Sequence, residues 1–266
     1  MKNAVIVYNK IKSEALRLYN ESKDYLINKG IKILDSREIS KADFMVVIGG
    51  DGTLLAASKK ILEKKIPVIA INLGSLGFLT EIRKEEAFQT FDKVINGDYF
   101  CDKRNFLELI LNNERYYALN EVVISKGGLN MRMASVNFYA NEKYVTNYKA
   151  DGVIISTPTG STAYSLSAGG PIINPSLNAL SITPIAPHTL SARPIIVDGN
   201  TNLTFESIDK DRELHLILDG QVNLTMNELD SLEIKMSKKA LYLVKPNERD
   251  YYQVLREKLK WGDNLC

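Results

Sequence analysis

A glycine-rich turn between an apolar run and a helical pattern sets the fold class of the first part of this chain. Phe44 to Ile48 are all apolar, which is typical of a strand buried on both faces of a parallel sheet. Gly49-Gly50-Asp51-Gly52-Thr53 follows, and a helical pattern runs from Thr53 to about Lys64. Open α/β sheets bind ligands where such strands end. This segment therefore predicts an α/β domain with a ligand site at the glycine turn.

Strand and helix patterns alternate through the rest of the first hundred residues. Strand-like runs cover Ala4 to Tyr8, Ile31 to Leu34 and Pro67 to Ile71, and helical patterns cover Ser13 to Asn28 and Lys84 to Ile95. This alternation predicts a parallel sheet with covering helices and right-handed crossovers.

The pattern changes from Tyr99 onward to short strands separated by turn signals, which predicts an all-β, sandwich-like domain. The strand-like runs are Phe106 to Leu111, Arg115 to Ser125, Ala134 to Ala140, Val153 to Thr157, Ile195 to Val197, Thr201 to Phe205, Leu214 to Leu218, Ser231 to Ile234 and Leu241 to Val244. A helical pattern from Glu248 to Trp261 follows. We therefore predict an α/β domain over residues 1–98, a β domain over 99–246, and a C-terminal helix within 247–266 that returns to the first domain.

Composition and charge exclude several function classes. The formal net charge of +2 and the absence of a basic cluster argue against nucleic-acid or membrane-surface binding. No apolar segment approaches the ~18 residues that a membrane span needs, and the chain starts without a signal-peptide pattern. The two cysteines, Cys101 and Cys266, show neither metal-ligand spacing nor a disulfide framework. We expect a cytoplasmic protein.

The aspartate of the glycine turn is its unusual residue. Three glycines let the backbone approach a phosphate at a helix N-terminus, but a carboxylate there repels phosphate unless it has a task. Asp51 could hold Mg²⁺ or take a proton from an attacking hydroxyl; alternatively it simply caps the helix. The turn matches neither the G-x-x-x-x-G-K-[ST] loop nor the G-x-G-x-x-G fingerprint.

Two further polar segments follow predicted strands. The loop Asn72 to Leu79 comes after the next strand of the first domain, so it should lie beside the glycine turn and could contact a second ligand group. Its alternative role is an ordinary glycine turn with Phe78 and Leu79 in the core. Asn120-Glu121 could recognise a base edge and ribose hydroxyls, and its alternative is a solvent-facing polar pair at a bulge.

The segment from Asp151 to Ser165 combines a buried strand with a turn rich in hydroxyl groups. Its sequence from residue 157 is Thr-Pro-Thr-Gly-Ser-Thr-Ala-Tyr, in which Tyr164 could stack or pack beside a base and Ala163 leaves room for it. The alternative is a turn whose hydroxyls merely satisfy its own backbone.

These segments together resemble the NAD kinase family. The resemblance rests on Gly49 to Thr53, Asn72 to Leu79, Asn120-Glu121 and Asp151 to Tyr164, and it extends through Ser165 to Pro171, Thr183 to Pro194 and Asp219-Gly220-Gln221. It covers residues 48 to 221. It implies an enzyme that transfers the γ-phosphate of ATP to the 2′-hydroxyl of the adenosine ribose of NAD, with Mg²⁺ or another divalent metal. It also implies a homodimer or homotetramer.

Site residues carry over from the resemblance position by position. Asp51 would be the proton acceptor, Gly52 would contact the dinucleotide, and Gly49, Gly50 and Thr53 would complete the phosphate loop. Asn120 and Glu121 would hold the adenine and a ribose, and Asp151 the nicotinamide end. The further NAD-binding positions are Thr162, Ala163, Tyr164, Ser165, Leu166, Ser167, Ala186 and Gln221. Lys149 stands where the family often has arginine, so its phosphate-facing role loses the bidentate fork.

Neither of the two histidines is predicted to take part in catalysis. His188 is expected to have a supporting role because the resemblance places the base at Asp51, and His215 lies in a strand-like run that predicts ordinary packing. Two alternative functions agree with some of the same sequence features. A lipid kinase of the diacylglycerol type shares the glycine turn, and a non-catalytic dinucleotide-binding regulator shares the NAD contacts.

Overall fold

The computed structural model describes residues 1–126, 133–208, 213–227, 230–246 and 249–261. The chain divides into two compact units. One consists of Met1–Arg104 and Ala240–Cys266, and the other of Asn105–Lys239. Cys101 is exposed, whereas Cys266 lies outside the described residues.

The first unit is an α/β fold around a parallel sheet. Its elements are β1 (Asn3–Tyr8), α1 (Ser13–Asn28), β2 (Lys32–Leu34), β3 (Phe44–Ile48), α2 (Asp51–Ser58), β4 (Pro67–Asn72), β5 (Ile82–Arg83) and α3 (Ala87–Asn96). The sheet order is β2-β1-β3-β4, and every neighbouring pair is parallel. All five residues of β3 are buried, because β3 lies between two strands and the helices cover the sheet. The α/β prediction is confirmed.

The second unit is an antiparallel β sandwich. Its elements are β6 (Phe100–Leu111), β7 (Glu114–Ala118), β8 (Glu121–Lys126), β9 (Ala134–Ala140), β10 (Lys143–Ala150), β11 (Gly152–Ser156), α4 (Tyr164–Ser167), β12 (Ala179–Ile185), β13 (Ile195–Asp198), β14 (Leu203–Ser207), β15 (Leu214–Leu218), β16 (Val222–Met226) and β17 (Ser231–Lys245). The division between the units falls inside β6 and β17.

Two sheets face each other across the core of this second unit. One has the order β13-β12-β11-β8-β15-β16, with antiparallel pairs throughout, and the other includes β10-β9-β14-β17. Their inner faces share one apolar cluster, to which Phe138 and Phe205 contribute from one sheet and Ile124 and Leu216 from the other. The sandwich prediction is confirmed.

A C-terminal helix, α5 (Tyr251–Leu259), belongs to the first unit, as predicted. The guanidinium of Arg249, just before this helix, donates to the backbone carbonyl of Glu81 and lies 3.3 Å from the Glu86 carboxylate. No helix in the described ranges is long and apolar enough to cross a membrane.

Candidate active site

The glycine turn joins β3 to α2 through a close backbone approach. A Cβ atom on Gly49 would lie 2.5 Å from the Thr53 hydroxyl oxygen, so a larger residue does not fit there. The N–H of Gly49 donates to the Ile71 carbonyl, and that of Thr53 to the Gly50 carbonyl. These two amides are therefore engaged in shaping the turn.

Asp51 is the first residue of α2 and does not cap it. Gly50 occupies the N-cap position in an extended conformation, with no side-chain cap. The capping alternative for Asp51 is therefore wrong. The carboxylate instead points toward the loop that follows β4.

The Asp51 carboxylate binds three consecutive backbone amides of that second loop. Oδ2 accepts the N–H of Phe78 at 3.0 Å, and Oδ1 accepts the N–H groups of Leu79 at 3.3 Å and Thr80 at 3.0 Å. Oδ1 also accepts the Thr80 hydroxyl at 2.8 Å. The two loops lie side by side, as expected from the adjacent parallel strands β3 and β4, and Asp51 is the group that joins them.

In the second unit, Asn120 and Glu121 form a buried polar pair at the start of β8. They are 8% and 6% exposed, so the alternative of a solvent-facing pair is wrong. Within the described part of the chain, Asn120 Oδ1 and Glu121 Oε2 have no hydrogen-bond partner. Buried polar atoms normally do have one. The two atoms are therefore available to a polar ligand.

Burial shifts the ionisation of Glu121 into the neutral range. Its pKa is raised to about 7, mainly by desolvation and further by the charge of Asp219, while the backbone N–H of Tyr164 lowers it. A carboxyl group with such a pKa changes its charge near physiological pH, and strongly shifted groups are frequent in functional sites.

Asp219 holds the Asn120-Glu121 segment in place. Its buried carboxylate accepts the backbone N–H groups of Leu119 at 3.0 Å, Asn120 at 2.8 Å and Glu121 at 3.4 Å. Asp219 itself has a φ of 51° and is the first residue of the three-residue turn between β15 and β16. Asp219 begins the Asp219-Gly220-Gln221 motif, in which a role was predicted for Gln221 alone. Its place in an Asp-Gly turn was the available signal.

The hydroxyl-rich turn packs against the same segment. The Thr157 hydroxyl donates to the Leu119 carbonyl at 2.7 Å, and a Cβ atom on Gly160 would lie 2.1 Å from the Asn120 carbonyl oxygen. The Ser161 hydroxyl donates to the Pro158 carbonyl at 2.7 Å. The Ser161 hydroxyl therefore bonds to the turn's own backbone, as in the alternative interpretation, whereas the Thr157 hydroxyl accepts the Gly160 N–H of the turn and donates outside it to Leu119.

The predicted contacts of α4 differ in exposure. Tyr164 and Ser167 are exposed, whereas the Ser165 hydroxyl is fully buried and lies 3.2 Å from that of Thr183. Thr162, Ala163 and Leu166 are partly buried. The exposed residues therefore lie on one side of this short helix, and the buried Ser165 hydroxyl connects the helix to Thr183.

The remaining predicted residues of the second unit lie at strand ends and turns. The Asp151 carboxylate accepts from Lys126 Nζ at 2.7 Å, a partner that sequence reasoning missed. Lys149 is exposed, and its carbonyl accepts the N–H of His188 at 2.9 Å. Ala186 is exposed with a φ of 43°, and Gln221 is exposed in the turn after Asp219. His215 is partly buried on β15, between the buried residues Leu214 and Leu216.

Comparisons with known families match both units of the chain. Residues 34–99 match the model of the ATP-NAD kinase N-terminal domain, and residues 119–246 match that of the ATP-NAD kinase C-terminal domain. The NAD kinase of Fusobacterium nucleatum is 46% identical over 262 residues, which cover 98% of each chain. The NAD kinase of Geotalea daltonii is 44% identical over 228 residues, covering 84% of this chain and 80% of that protein.

Two solved structures share the fold. The yeast NADH kinase complexed with NADH superposes with a TM-score of 0.89 at 24% identity, covering 100% of this chain and 89% of that one. The NAD kinase from Archaeoglobus fulgidus in complex with ATP has a TM-score of 0.81 at 24% identity, covering 98% of this chain and 100% of that one. With both domain models matched and a relative 46% identical over almost the full length, this chain belongs to the ATP-NAD kinase family and is a phosphotransferase with an alcohol group as acceptor.

Proposed function

We propose that this chain transfers the γ-phosphate of ATP to the 2′-hydroxyl of the adenosine ribose of NAD, producing NADP, and that Asp51 accepts the hydroxyl proton. Family membership supports the reaction. The observation that carries the role of Asp51 is a carboxylate at the start of α2, inside a glycine turn, that is not used as a helix cap. A negative charge beside a phosphate-binding turn is unfavourable, so we infer that it serves the chemistry in addition to holding the loop that follows β4.

The proposed reaction moves one proton and one phosphoryl group. The ribose 2′-oxygen forms a bond to the γ-phosphorus, the bond from that phosphorus to the β–γ bridging oxygen breaks, and ADP leaves. The hydroxyl proton passes to Asp51. A positioned base of this kind typically contributes ~10²–10⁴-fold to the rate. The rest of the acceleration comes from positioning and charge neutralisation, to which the backbone of Gly50 and Gly52 contributes.

Asn120 and Glu121 are proposed to hold the adenine and a ribose. The support is the pair of buried oxygen atoms, Asn120 Oδ1 and Glu121 Oε2, that lack a partner among the described residues. Adenine presents an amino group as a donor and ribose presents hydroxyls, so both oxygens find donors in an adenosine. Leaving them unpaired costs ~1–3 kcal/mol each, which NAD binding would recover.

The other proposed NAD contacts differ in what they offer. Tyr164 and Ser167 are exposed and can touch a ligand directly, Asp151 is half-exposed beside Lys126, and Lys149 extends into solvent. The full set is Gly52, Lys149, Asp151, Thr162, Ala163, Tyr164, Ser165, Leu166, Ser167, Ala186 and Gln221. Of these, Ser165 supports the site through Thr183.

A divalent cation, Mg²⁺ or a substitute, is proposed to accompany ATP. In the ranges that the structure describes, no three His, Cys, Asp or Glu side chains are grouped to form a metal cage. We propose that the phosphates of ATP supply most of the ligands of the cation, which is how Mg²⁺ commonly binds in kinases. When bound, the cation neutralises charge on the transferring phosphate.

The decisive experiment mixes the purified protein with Mg²⁺, ATP and NAD and measures NADP. The same assay is run on Asp51→Ala, whose kcat should be ~10²–10⁴-fold below that of wild type. Diacylglycerol in mixed micelles replaces NAD in a parallel reaction, because the rival lipid kinase would phosphorylate that acceptor. NAD binding without NADP formation would identify the non-catalytic regulator.

The cytoplasmic location and the homodimer or homotetramer remain predictions. The exposed edge strand β13, with Ile195 and Ile196 37% and 49% exposed, agrees with assembly through the β domain because unpaired edges favour association. Light scattering at micromolar concentration tests it, and a stable particle of 29.8 kDa, the mass of one chain, would contradict it.

A further inference from the structure

The two oxygens of the Asp51 carboxylate have unequal surroundings. Among the described residues, Oδ1 accepts three hydrogen bonds, from the N–H groups of Leu79 and Thr80 and from the Thr80 hydroxyl, while Oδ2 accepts one, from the Phe78 N–H. A carboxylate oxygen has two lone pairs. Oδ1 is therefore saturated, and Oδ2 keeps a lone pair for another donor.

The direction of the hydrogen bond from Thr80 is fixed by Asn72. Asn72 Oδ1 accepts the Gly74 N–H at 2.7 Å, so the amide nitrogen must face the other way. That nitrogen donates to Thr80 Oγ1 at 2.8 Å. Because the Thr80 oxygen accepts from Asn72, its own proton points to Asp51 Oδ1, 2.8 Å away.

The groups in this chain of hydrogen bonds are closely packed. Thr80 is fully buried and Asn72 is 8% exposed. A Cβ atom on Gly77 would lie 2.1 Å from Asp51 Oδ1 and 2.3 Å from Thr80 Oγ1, so the glycine backbone lies directly against the pair. The carboxylate is held from one side by groups that have a single orientation.

We propose that Thr80, oriented by Asn72, is a positioning residue for phosphoryl transfer, which anchors Asp51 through Oδ1 so that Oδ2 receives the hydroxyl proton. This inference rests on the proposed role of Asp51 as the proton acceptor. Phosphoryl transfer depends strongly on alignment, and a displacement of about 1 Å costs ~10²-fold in rate. A carboxylate free to rotate about its Cβ–Cγ bond would present Oδ2 only part of the time.

The first test compares Thr80→Val with Thr80→Ser. Valine keeps nearly the same shape and removes the hydroxyl, whereas serine keeps the hydroxyl. We expect Thr80→Val to lower kcat by ~10- to 100-fold with KM for NAD within about threefold of wild type. Thr80→Ser should recover kcat to within about threefold of wild type. The control is Thr90→Val on α3, which removes a hydroxyl bond to the Glu86 carbonyl and should leave kcat unchanged.

Asn72→Asp tests the direction of the hydrogen bonds. Its carboxylate still accepts from Gly74 but cannot donate to Thr80, so the Thr80 proton has a competing acceptor and turns away from Asp51. We expect the kcat of Asn72→Asp to fall as in Thr80→Val. Wild-type kcat in either variant, at a temperature well below its Tm, would overturn the proposal. Equal loss in Thr80→Val and Thr80→Ser would also overturn it, because the hydroxyl would then not be the active feature.

A double-mutant cycle separates this inference from the proposed function. If Thr80 acts through Asp51, adding Thr80→Val to Asp51→Ala should change the residual kcat by less than about twofold. A full additional loss would overturn the positioning role while leaving Asp51 as proton acceptor. Near-wild-type turnover in Asp51→Ala alone would instead refute the proposed role of Asp51.

Discussion

Glu121 and Asp219 are joined by reciprocal hydrogen bonds, although their two carboxyl groups carry charge of the same sign. The N–H of Asp219 donates to the Glu121 carbonyl at 3.0 Å, and the Asp219 carboxylate accepts the Glu121 N–H at 3.4 Å. The same carboxylate raises the pKa of the Glu121 side chain, in addition to the larger effect of burial. One residue therefore fixes the position of its neighbour and also biases that neighbour toward the neutral form.

The raised pKa of Glu121 predicts a loss of stability with rising pH in the protein without ligand. The pKa is about 7 in the folded state against an ordinary value of 4.5. Stability from this group is therefore full below pH 4.5 and is lost as the pH rises through 7. The Glu121→Gln side chain stays neutral at every pH, so this variant should not lose that stability. Between pH 5 and pH 8, its unfolding free energy should therefore gain on wild type by on the order of 3 kcal/mol at most.

Urea denaturation of both proteins at pH 5 and pH 8 measures this difference. Glu85→Gln, a change at an exposed position on the first unit, is the control and should show little pH-dependent difference. If the Glu121→Gln difference is the same at both pH values, Glu121 does not titrate in this range.

Asp219→Asn should weaken NAD binding through the segment it holds. The amide can accept with one atom but turns an NH₂ group toward one of the three backbone donors, so at least one N–H loses its partner. We expect the unfolding free energy to fall by ~1–3 kcal/mol and KM for NAD to rise. Asp198→Asn, in an exposed turn where Oδ1 accepts the Asn200 N–H, is the control. An unchanged KM would show that Asn120 and Glu121 keep their places without Asp219.

The fold was predictable where the sequence pattern is local. The apolar run of β3 matches the structure at both ends, and α1 spans the predicted Ser13 to Asn28. The helix α2 was predicted too long, because its α-helical part ends at Ser58 and a short 3₁₀ turn, Lys59–Ile61, follows. The predicted strands Ser231 to Ile234 and Leu241 to Val244 are parts of the single strand β17. They were predicted separately because the polar residues in the middle of β17 interrupt the apolar pattern.

Strands β10, β12 and β16 were missed because their sequences lack the usual signals. β12 contains Pro184, and proline argues against a strand with partners on both sides. The structure accommodates it because β13 pairs with residues 179–182, leaving Pro184 beyond the doubly paired part. β10 and β16 are rich in polar residues, and their places are set by pairing with β9 and β15.

The site was predictable as a set of motifs but not as a set of contacts. Asp51, Asn120 and Glu121 were recognised from the residues beside them in sequence. Thr80 lies 29 positions from Asp51, and Asp219 lies 99 positions from Asn120. These supporting groups act across the fold on neighbouring strand ends, so no local spacing indicates them.

Gly77→Ala should impair turnover more than any loss of stability explains. The added Cβ atom would meet Asp51 Oδ1 and Thr80 Oγ1, so the carboxylate must shift. Overpacking of this kind costs ~1–3 kcal/mol in stability, and displacement of Asp51 should lower kcat by ~10²-fold. The control is Gly74→Ala, whose Cβ would lie 3.9 Å from Asn72 Oδ1. Equal kcat values for the two variants would mean that Asp51 tolerates displacement.

Tyr164→Ala should weaken NAD binding while leaving the fold intact. The side chain is 46% exposed at the start of α4, and its backbone N–H lies against the Glu121 carboxylate, so the ring is placed beside the proposed adenosine contacts. Loss of an aromatic contact to a base typically costs ~1–3 kcal/mol, so the Kd for NAD should rise by about 5- to 150-fold. Calorimetric titration with NAD measures the affinity, and thermal unfolding measures Tm, which should change little for a half-exposed ring.

Tyr144→Ala is the control for general effects of truncation. It removes another exposed ring of the second unit, one that packs against Tyr139. If the Kd for NAD is unchanged while Tyr164→Ala melts at a lower temperature, the ring stabilises the fold and does not contact the base.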